Sequence, residues 1–255
     1  MPFQKIQSEK LATSVGRQIE LLILRGILRP GERLPSERDL SERMGVSRPS
    51  LREAVEELEG RGLLVSRPGA GIYVADVLGS AFSPALVELF ASHDEAVADY
   101  IAFRRDMEGL AADRAARLGS ETDLAVIDTI FQKMAAAHQK RDPTDEAELD
   151  AQFHMAIIEA GHNIVMLHMM RAMFDLLRQG VFYNRQMMFR NRVTRDMLLD
   201  QHRAINDAIQ ARDPAAARAA VSAHMDYVVA SLQEQARVER NEAVARMRYE
   251  HERQR

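Results

Sequence analysis

The sequence contains no cysteine and no tryptophan, and aromatic residues make up only 5% of its 255 residues. The absence of cysteine excludes a disulfide framework, thiolate metal sites and a cysteine nucleophile. No apolar run approaches the roughly 18 residues that a membrane-spanning helix needs, and the first ten residues contain no apolar core of a secretion signal. These absences predict a cytoplasmic protein without a membrane partner.

Length and charge together indicate two domains of different character. At roughly 100–200 residues per domain, a chain of 255 residues accommodates two. The formal net charge is −4, but residues 1–75 hold 12 Lys/Arg and 10 Asp/Glu, while the remaining residues hold 22 and 28. Within the first part, residues 43–52 include three arginines and no acid. This segment is typical of an anion-binding surface or, alternatively, of a solvated helix face.

The first 76 residues follow the pattern of a winged helix-turn-helix domain. Apolar residues recur every three or four positions over residues 9–28, which predicts a helix with a buried stripe. Ser36 and Ser47 stand where they would cap two further helices, which a tight turn at Gly45 separates. Two β-like runs at 63–66 and 72–74 flank a turn rich in Pro and Gly and predict a hairpin, the wing.

The second helix of such a motif lies in the major groove of DNA, with its first residues at the base edges. Arginine can donate two hydrogen bonds to guanine, serine hydroxyls suit phosphate, and a glycine in the wing lets the main chain approach the minor groove. On a generic three-helix module, the same arginines are only surface charges. The candidate contacts to double-stranded operator DNA are Arg38, Ser47, Arg48, Ser50, Arg52 and Gly69.

After residue 76 the sequence changes to a linker and then to helical patterns only. Residues 77–93 contain Gly, Ser and Pro and a short apolar stretch at 86–90, which predicts a linker with a short helix. Residues 94–236 are expected to form an antiparallel all-α bundle. The expected helices span residues 94–118, 122–140, 145–160, 163–188, 194–211 and 214 to about 235. Residues 237–255 are highly charged and are expected to form a solvated or frayed tail.

One aspartate and three histidines stand on apolar helix faces of the bundle. Asp150 and His154 are four residues apart and therefore share one side of a helix, while His202 and His224 lie in the apolar stripes of two later helices. A single histidine on such a face is usually a hydrogen-bonded core residue. One carboxylate and three imidazoles together can hold a borderline divalent ion and leave coordination positions open. The spacing alone is compatible with both interpretations.

An open coordination position raises the question of catalysis. A hydrolytic metal site needs a general base beside the bound water, and no HExxH-type motif occurs in the sequence. Because a DNA-binding domain is predicted in the same chain, a receptor for a small carboxylate explains an open metal site better than an enzyme does. Arg104 is the candidate residue for neutralising that carboxylate. Its alternative role is a surface i,i+4 ion pair with Glu108.

Several sequence runs resemble a known family of regulators. The run LRPGERLPSERDLSERMGVSRPSLREAVEELEGRGLL resembles the DNA-binding domain of GntR-type regulators. FRRDMEG, LDAQFHMAIIEAGHN, QHRAINDAI and the histidine of SAHMDYV resemble the FCD ligand-binding domain of the FadR subgroup. The DNA contacts implied by this resemblance are Arg38, Arg48, Arg52 and Gly69, and the implied metal ligands are Asp150, His154, His202 and His224. Zinc is the first expectation for the ion, with nickel or manganese as alternatives, and Arg104 matches an arginine implicated in effector binding.

The resemblance also implies how the protein works. It extends to regulators of lactate, glycolate and pyruvate dehydrogenase genes, which implies a small organic acid as effector, lactate or glycolate before pyruvate. A homodimer on a pseudo-palindromic operator is expected, because twofold protein symmetry is mirrored in the DNA. Release of repression is the usual outcome in this family, so a repressor is expected. A metal-sensing repressor without an organic effector and a metal-dependent enzyme fused to a DNA-binding domain are the two alternatives.

Overall fold

The computed structural model describes residues 10–76, 82–178, 188–189 and 192–253. The chain divides into two compact units, residues 1–81 and 82–255. Helices dominate the described residues, and a single small sheet lies in the first unit. This confirms the expected fold class, a mainly α protein with an N-terminal winged helix-turn-helix and a C-terminal helical bundle. Within the described ranges, no helix combines the length and the apolar character needed to cross a bilayer.

The first unit consists of three helices followed by a two-stranded antiparallel sheet. Its elements are α1 (Leu11–Leu24), α2 (Glu37–Met44), α3 (Arg48–Gly60), β1 (Leu64–Arg67) and β2 (Gly71–Val74). In the sheet, Leu64 pairs with Val74 and Arg67 pairs with Gly71. The turn between the two strands is therefore the tip of the predicted wing.

The two predicted serine caps determine where α2 and α3 begin. The backbone N–H of Asp39 donates to Oγ of Ser36 at 3.2 Å, and the backbone N–H of Ser50 donates to Oγ of Ser47 at 3.3 Å. Each cap satisfies one of the N–H groups that a helix leaves without an internal partner at its start. Gly45 follows α2 with a φ of 65°, a conformation that glycine adopts without a steric penalty. The turn at Gly45 thus separates two short helices, as predicted.

The core of the first unit is formed by all three helices and the sheet. Its fully buried side chains include Ile19, Leu51, Leu58 and Val74. Leu11 and Ile27 are the first and last apolar residues of the periodic pattern over residues 9–28, but both are exposed, so the prediction of a buried stripe is wrong at its two ends. Ala12 takes the inward position in the first turn of α1, and Ile27 lies beyond the last helical residue, where the 3.6-residue period no longer applies.

The second unit is a bundle of helices with short connections. Its elements are α4 (Pro84–Ser92), α5 (Asp94–Leu118), α6 (Glu121–His138), α7 (Thr144–Ala160), α8 (Ile164–Arg178), α9 (Arg192–Gln210) and α10 (Pro214–Arg253). These bounds agree with the predicted helices to within two residues, except for the ends of α8 and α10. The predicted extension of α8 over residues 179–187 lies outside the described residues.

The last helix is longer than the sequence analysis expects. Residues 237–253 continue α10 without a break, and their side chains are exposed. Where the sequence predicts a solvated or frayed tail, residues 237–253 thus form an exposed part of a regular helix. The physical reason is local: no Gly or Pro follows Pro214, and ion pairs one turn apart, such as Glu242–Arg246, support the helix.

Helix α5 is the central element of the bundle and packs against α7, α9 and α10. Small residues make this packing close: Ala111, Ala112, Ala115 and Ala116 are all buried on α5. Larger side chains such as Phe131 and Phe153 fill the space between α6 and α7. The close approach of α5 to α7 and α10 is what brings polar side chains of these three helices within contact distance.

Candidate metal centre and DNA-reading surface

Four side chains from three helices converge inside the second unit. We call them the Asp–His cluster: Asp150, His154, His202 and His224. One ligand atom from each lies within 4.8 Å of the others. Oδ1 of Asp150 is 3.0 Å from Nε2 of His202 and 3.7 Å from Nε2 of His154, and the two Nε2 atoms are 3.3 Å apart. The carboxylate oxygen and the ring nitrogens therefore point into one small volume.

The positions of these side chains follow from helical periodicity. Asp150 and His154 project from the same side of α7, as their spacing predicts, while His202 lies on α9 and His224 on α10. All four residues are at least 95% buried. Buried polar groups are strongly destabilising unless they have hydrogen-bonding partners or bind an ion. A buried set of three imidazoles and one carboxylate fits a divalent ion of the zinc or nickel type.

A buried ion pair between Arg104 and Glu108 contacts the ring of His154. Nε of Arg104 donates to Oε1 of Glu108 at 2.5 Å, and Oε2 of Glu108 lies 2.6 Å from Nδ1 of His154. Arg104 and Glu108 are each only 2% exposed. The pair that the sequence analysis places at the surface as an alternative is therefore present but buried, and it contacts the Asp–His cluster directly.

Charges around this pair shift the pKa values of its members. Burial alone would raise the pKa of Glu108, but the charges of Arg104 and His154 outweigh burial and lower it to about 2. Burial would lower the pKa of His154, but the neighbouring carboxylates of Glu108 and Asp150 raise it. Glu108 is therefore a carboxylate at neutral pH. A carboxylate on Nδ1 orients the ring and leaves Nε2 to face the other ligand atoms.

A second orienting contact involves His224. Nδ1 of His224 lies 3.0 Å from Oε1 of Gln201, the residue before His202. An amide oxygen only accepts hydrogen bonds, so Nδ1 of His224 carries the proton and Nε2 keeps its lone pair. Burial, together with the nearby imidazoles of His202 and His154, lowers the pKa of His224 well below its usual range. His224 is therefore neutral at pH 7, which is the form that binds metal ions.

A small cavity of about 20 Å³ adjoins the Asp–His cluster. Its polar wall is formed by Arg104 and by three cluster members, and its apolar wall consists of Met188, Phe189, Leu198 and Val228. A volume of this size holds about one water-sized group. The polar wall brings a guanidinium and potential metal ligands to the same space, which is the arrangement that an acidic ligand needs.

In the first unit, the first turn of α3 is exposed. Arg48 and Arg52 are one turn apart, and more than half of each side chain is exposed. Ser47 caps the helix, and its hydroxyl is 2.9 Å from that of Ser50. The structure thus groups four of the predicted DNA contacts on one helix end, where positive partial charge favours phosphate.

Glu37, the first residue of α2, contacts both arginines of this helix end. Its Oε2 accepts a hydrogen bond from Nε of Arg52 at 2.9 Å, and it lies 2.9 Å from Nη2 of Arg52 and 3.5 Å from Nη2 of Arg48. The hydrogen bond from Arg52 is the main cause of a lowered pKa of Glu37, and Arg48 adds to it. Glu37 is therefore charged at neutral pH and joins the two helices of the motif.

The remaining two predicted DNA contacts lie elsewhere in the first unit. Arg38 is exposed on α2 and pairs with Glu42 one turn later, at 3.2 Å. Gly69 lies in the wing with a φ of +71°. Among the described residues, no heavy atom lies within 4 Å of the position that a Cβ would take there. Glycine is required there for its backbone conformation and not for lack of space.

Glu37 and Gln201 are not predicted from the sequence, and Glu108 is predicted only as a surface partner of Arg104, without its contact to His154. Glu108 belongs to the FRRDMEG run and Gln201 directly precedes a predicted ligand, so their positions in the sequence offered a signal. Each acts on a residue of another helix. Local spacing does not give such contacts, because they depend on how the helices pack.

A winged helix-turn-helix domain followed by an all-helical domain with a buried Asp–His cluster is an arrangement typical of a transcription regulator. The chain belongs to the GntR family of bacterial regulatory proteins, whose domain matches residues 11–74, and it contains an FCD domain over residues 99–227. It is accordingly a DNA-binding transcription regulator and not an enzyme, which removes the alternative of a metal-dependent enzyme.

Relatives of similar length support this membership. The Glc operon transcriptional activator of Escherichia coli K12 is 32% identical over 89% of this chain and 91% of its own length. A protein of the same strain, described as a regulator of the L-lactate dehydrogenase operon, is 35% identical over 86% and 85%. The solved structure of Streptococcus agalactiae GntR matches 86% of this chain and 99% of its own, with a TM-score of 0.51 and 24% identity, which supports the fold.

Proposed function

We propose that this regulator binds operator DNA through residues 1–76 and that a small carboxylic acid, bound at a divalent metal ion within residues 94–236, controls that binding. The observation that carries the proposal is the convergence of the Asp–His cluster beside a cavity that Arg104 also lines. Zinc is the first candidate for the ion, and nickel and manganese suit the same donor set. When bound, the ion supplies positive charge and open coordination positions for a carboxylate.

The residues of the chain supply the rest of the acid site. Arg104 lines the cavity, and a guanidinium group suits a carboxylate because its planar donors match the two oxygens. Oε1 of Glu108 accepts a hydrogen bond from Nε of Arg104 at 2.5 Å, which holds the Arg104 side chain within the bundle. Phe174 packs against the guanidinium, with 4.9 Å between Cζ of Arg104 and the ring centroid. A carboxylate in the cavity would meet this held guanidinium from one side and the cluster from the other.

The size of the cavity favours a small acid. The cavity of about 20 Å³ has room for one water-sized group. An acid of two or three carbons therefore binds only if side chains of the apolar wall move outward. The relative described for the L-lactate dehydrogenase operon supports the same class of ligand. We therefore favour lactate or glycolate over pyruvate.

Control of DNA binding requires two arrangements of the protein. The proposed state is a homodimer whose two winged domains bind half-sites through Arg38, Ser47, Arg48, Ser50, Arg52 and Gly69. The acid changes DNA affinity only by the difference between its affinities for the two arrangements. We propose that the acid favours the arrangement with lower DNA affinity, so that it relieves repression.

The experiment measures DNA affinity by fluorescence anisotropy with a duplex that the unaltered protein selects from a random pool. L-lactate, glycolate and pyruvate are each added to metal-loaded and to chelator-treated protein. We expect at least one acid to weaken binding, and only in the metal-loaded protein. Arg104→Lys should retain the ion and lose the response, whereas Arg105→Lys, an exposed neighbour that pairs with Asp226, should retain both.

Other outcomes have equally clear meanings. An acid that strengthens DNA binding would contradict the proposed relief of repression by the acid. Control by the metal alone, without any effect of the three acids, would support the metal-sensing alternative. A response to acid that persists after chelation and in Arg104→Lys would contradict the proposed site.

A further inference from the structure

The contact between Glu37 and the two arginines of α3 joins the two helices of the helix-turn-helix, unlike the Arg38–Glu42 pair next to it. Glu37 lies 15 positions before Arg52 and bridges α2 to α3. By contrast, Arg38 pairs with Glu42 one turn along the same helix, and both of those side chains are more than 60% exposed. The side chain of Glu37 is 32% exposed, against 56% for Arg52 and 57% for Arg48. The side chain of Glu37 is therefore less exposed than the two arginine side chains that it contacts.

The hydrogen-bond pattern leaves the outer edge of Arg52 available for recognition. Glu37 engages the edge formed by Nε and Nη2. The edge formed by Nη1 and Nη2 also presents two parallel donors, which match the O6 and N7 acceptors of guanine. An arginine held at one edge has already lost most of its rotamer freedom, so less entropy is lost when the other edge binds a base.

The charge of Glu37 has a second consequence. Binding to DNA of any sequence depends mainly on the attraction between basic side chains and phosphates. A carboxylate that pairs with Arg52 and lies near Arg48 offsets part of this attraction, and it repels phosphates that approach the same surface. Glu37 therefore disfavours binding through the backbone alone while it prepares the arginines for base edges, which is how repulsive elements generate specificity.

We propose that Glu37 is a positioning residue for base recognition, which raises the ratio of specific to non-specific DNA affinity by holding Arg48 and Arg52. This inference rests on the proposed DNA-contact role of these two arginines. Glu37 itself needs no contact with DNA. Its effect is exerted through the guanidinium groups that it holds.

Glu37→Gln tests the proposal, with Glu53→Gln as the matched control. Both substitutions remove one negative charge from the helix-turn-helix, but Glu53 is an exposed residue of α3 whose partner is Lys10. Two duplexes of equal length and composition serve as probes, one selected from a random pool by the unaltered protein and one scrambled. For Glu37→Gln we expect affinity for the selected duplex to fall at least about tenfold, the size of one lost bidentate base contact. Affinity for the scrambled duplex should stay equal or rise.

The affinities of the two variants for both duplexes distinguish a positioning role of Glu37 from a purely structural or purely electrostatic role. Glu53→Gln should change both affinities by less than about threefold, as expected for an exposed charge. Equal losses on both duplexes, together with a lower melting temperature, would show that Glu37 only stabilises the domain. A gain on both duplexes would show that it only opposes DNA. Either result overturns the proposal.

The proposal can also fail independently of the proposed function. If Arg48→Ala and Arg52→Ala lower the affinity for the selected duplex while Glu37→Gln leaves the specificity ratio unchanged, the positioning role is wrong and the DNA contacts stand. If the two arginine variants bind both duplexes like the unaltered protein, the recognition-helix assignment itself is wrong.

Discussion

Oε2 of Glu108 on α5 lies 2.6 Å from Nδ1 of His154 on α7. This contact joins the buried Arg104–Glu108 pair to the Asp–His cluster, so the residue proposed to bind the acid and the residues proposed to bind the ion share one partner. A ligand that draws Arg104 toward itself changes the hydrogen bonding of Glu108, and through Glu108 it changes the environment of a metal ligand. The geometry thus gives a direct route for mutual influence between acid and ion.

Glu108→Gln should weaken metal binding without removing any ligand. Carboxylates that orient ligating histidines typically contribute about 10–100-fold to metal affinity, and we expect a loss in this range. Competition with a chromophoric chelator measures it, with Asp106→Asn, an exposed site on the same helix, as control. Glu108→Asp keeps the negative charge, so its metal affinity should lie between that of Glu108→Gln and that of the Asp106→Asn control. Unchanged affinity in a folded Glu108→Gln protein would show that the contact with His154 has no role in metal binding.

Arg48→Ala and Arg52→Ala should each reduce operator affinity by about 1–3 kcal/mol if the side chains read bases. The expected loss is smaller on a scrambled duplex, because only phosphate attraction remains there. Arg61→Ala serves as control, since Arg61 follows the other end of α3 and pairs with Glu20. Titrations at two salt concentrations separate base contacts from phosphate contacts. The assignment fails if both variants bind the selected duplex with unaltered affinity.

Two glutamate–arginine pairs of the second unit should differ strongly in their contribution to stability. Glu146 is 1% exposed and contacts His138 and Arg195, each at 2.7 Å. Glu121 is 90% exposed and contacts Arg212 at 2.6 Å. Glu146→Gln leaves the buried guanidinium of Arg195 without its charge partner and should cost about 3–5 kcal/mol of unfolding free energy. Glu121→Gln should cost at most about 1 kcal/mol.

Urea unfolding of both variants under the same metal conditions checks this difference. Because the chain has two compact units, far-ultraviolet and near-ultraviolet signals should be followed together to detect separate transitions. Equal effects of the two substitutions would contradict the importance of burial at Glu146.

Local sequence signals predicted most of the elements and several site features. Ser36 and Ser47 cap their helices as predicted, because a cap depends only on the next three residues. Asp150 and His154 share a helix face because their spacing equals one turn. The convergence of His202 and His224 on that face also agrees with the family resemblance, which carries information about tertiary packing that periodicity lacks.

The contacts that sequence reasoning did not give are those between helices. The spacing of Arg104 and Glu108 predicts an ion pair but not its burial, which depends on α5 being covered by α7 and α10. The same holds for Gln201, whose contact with His224 joins α9 to α10. The length of α10 was predictable in principle, since no helix-breaking residue follows Pro214, but its high charge favoured a frayed tail in the sequence analysis.

The four-ligand site is tested by the metal content of purified protein, measured by elemental analysis after dialysis against buffered zinc. We expect one ion per chain in the unaltered protein and in His162→Ala, whose histidine is exposed and contacts Asp123. Folded His202→Ala and His224→Ala should lose most of this metal, since each substitution removes a buried ligand. Full occupancy in both of these variants would contradict the four-ligand site and the control mechanism built on it.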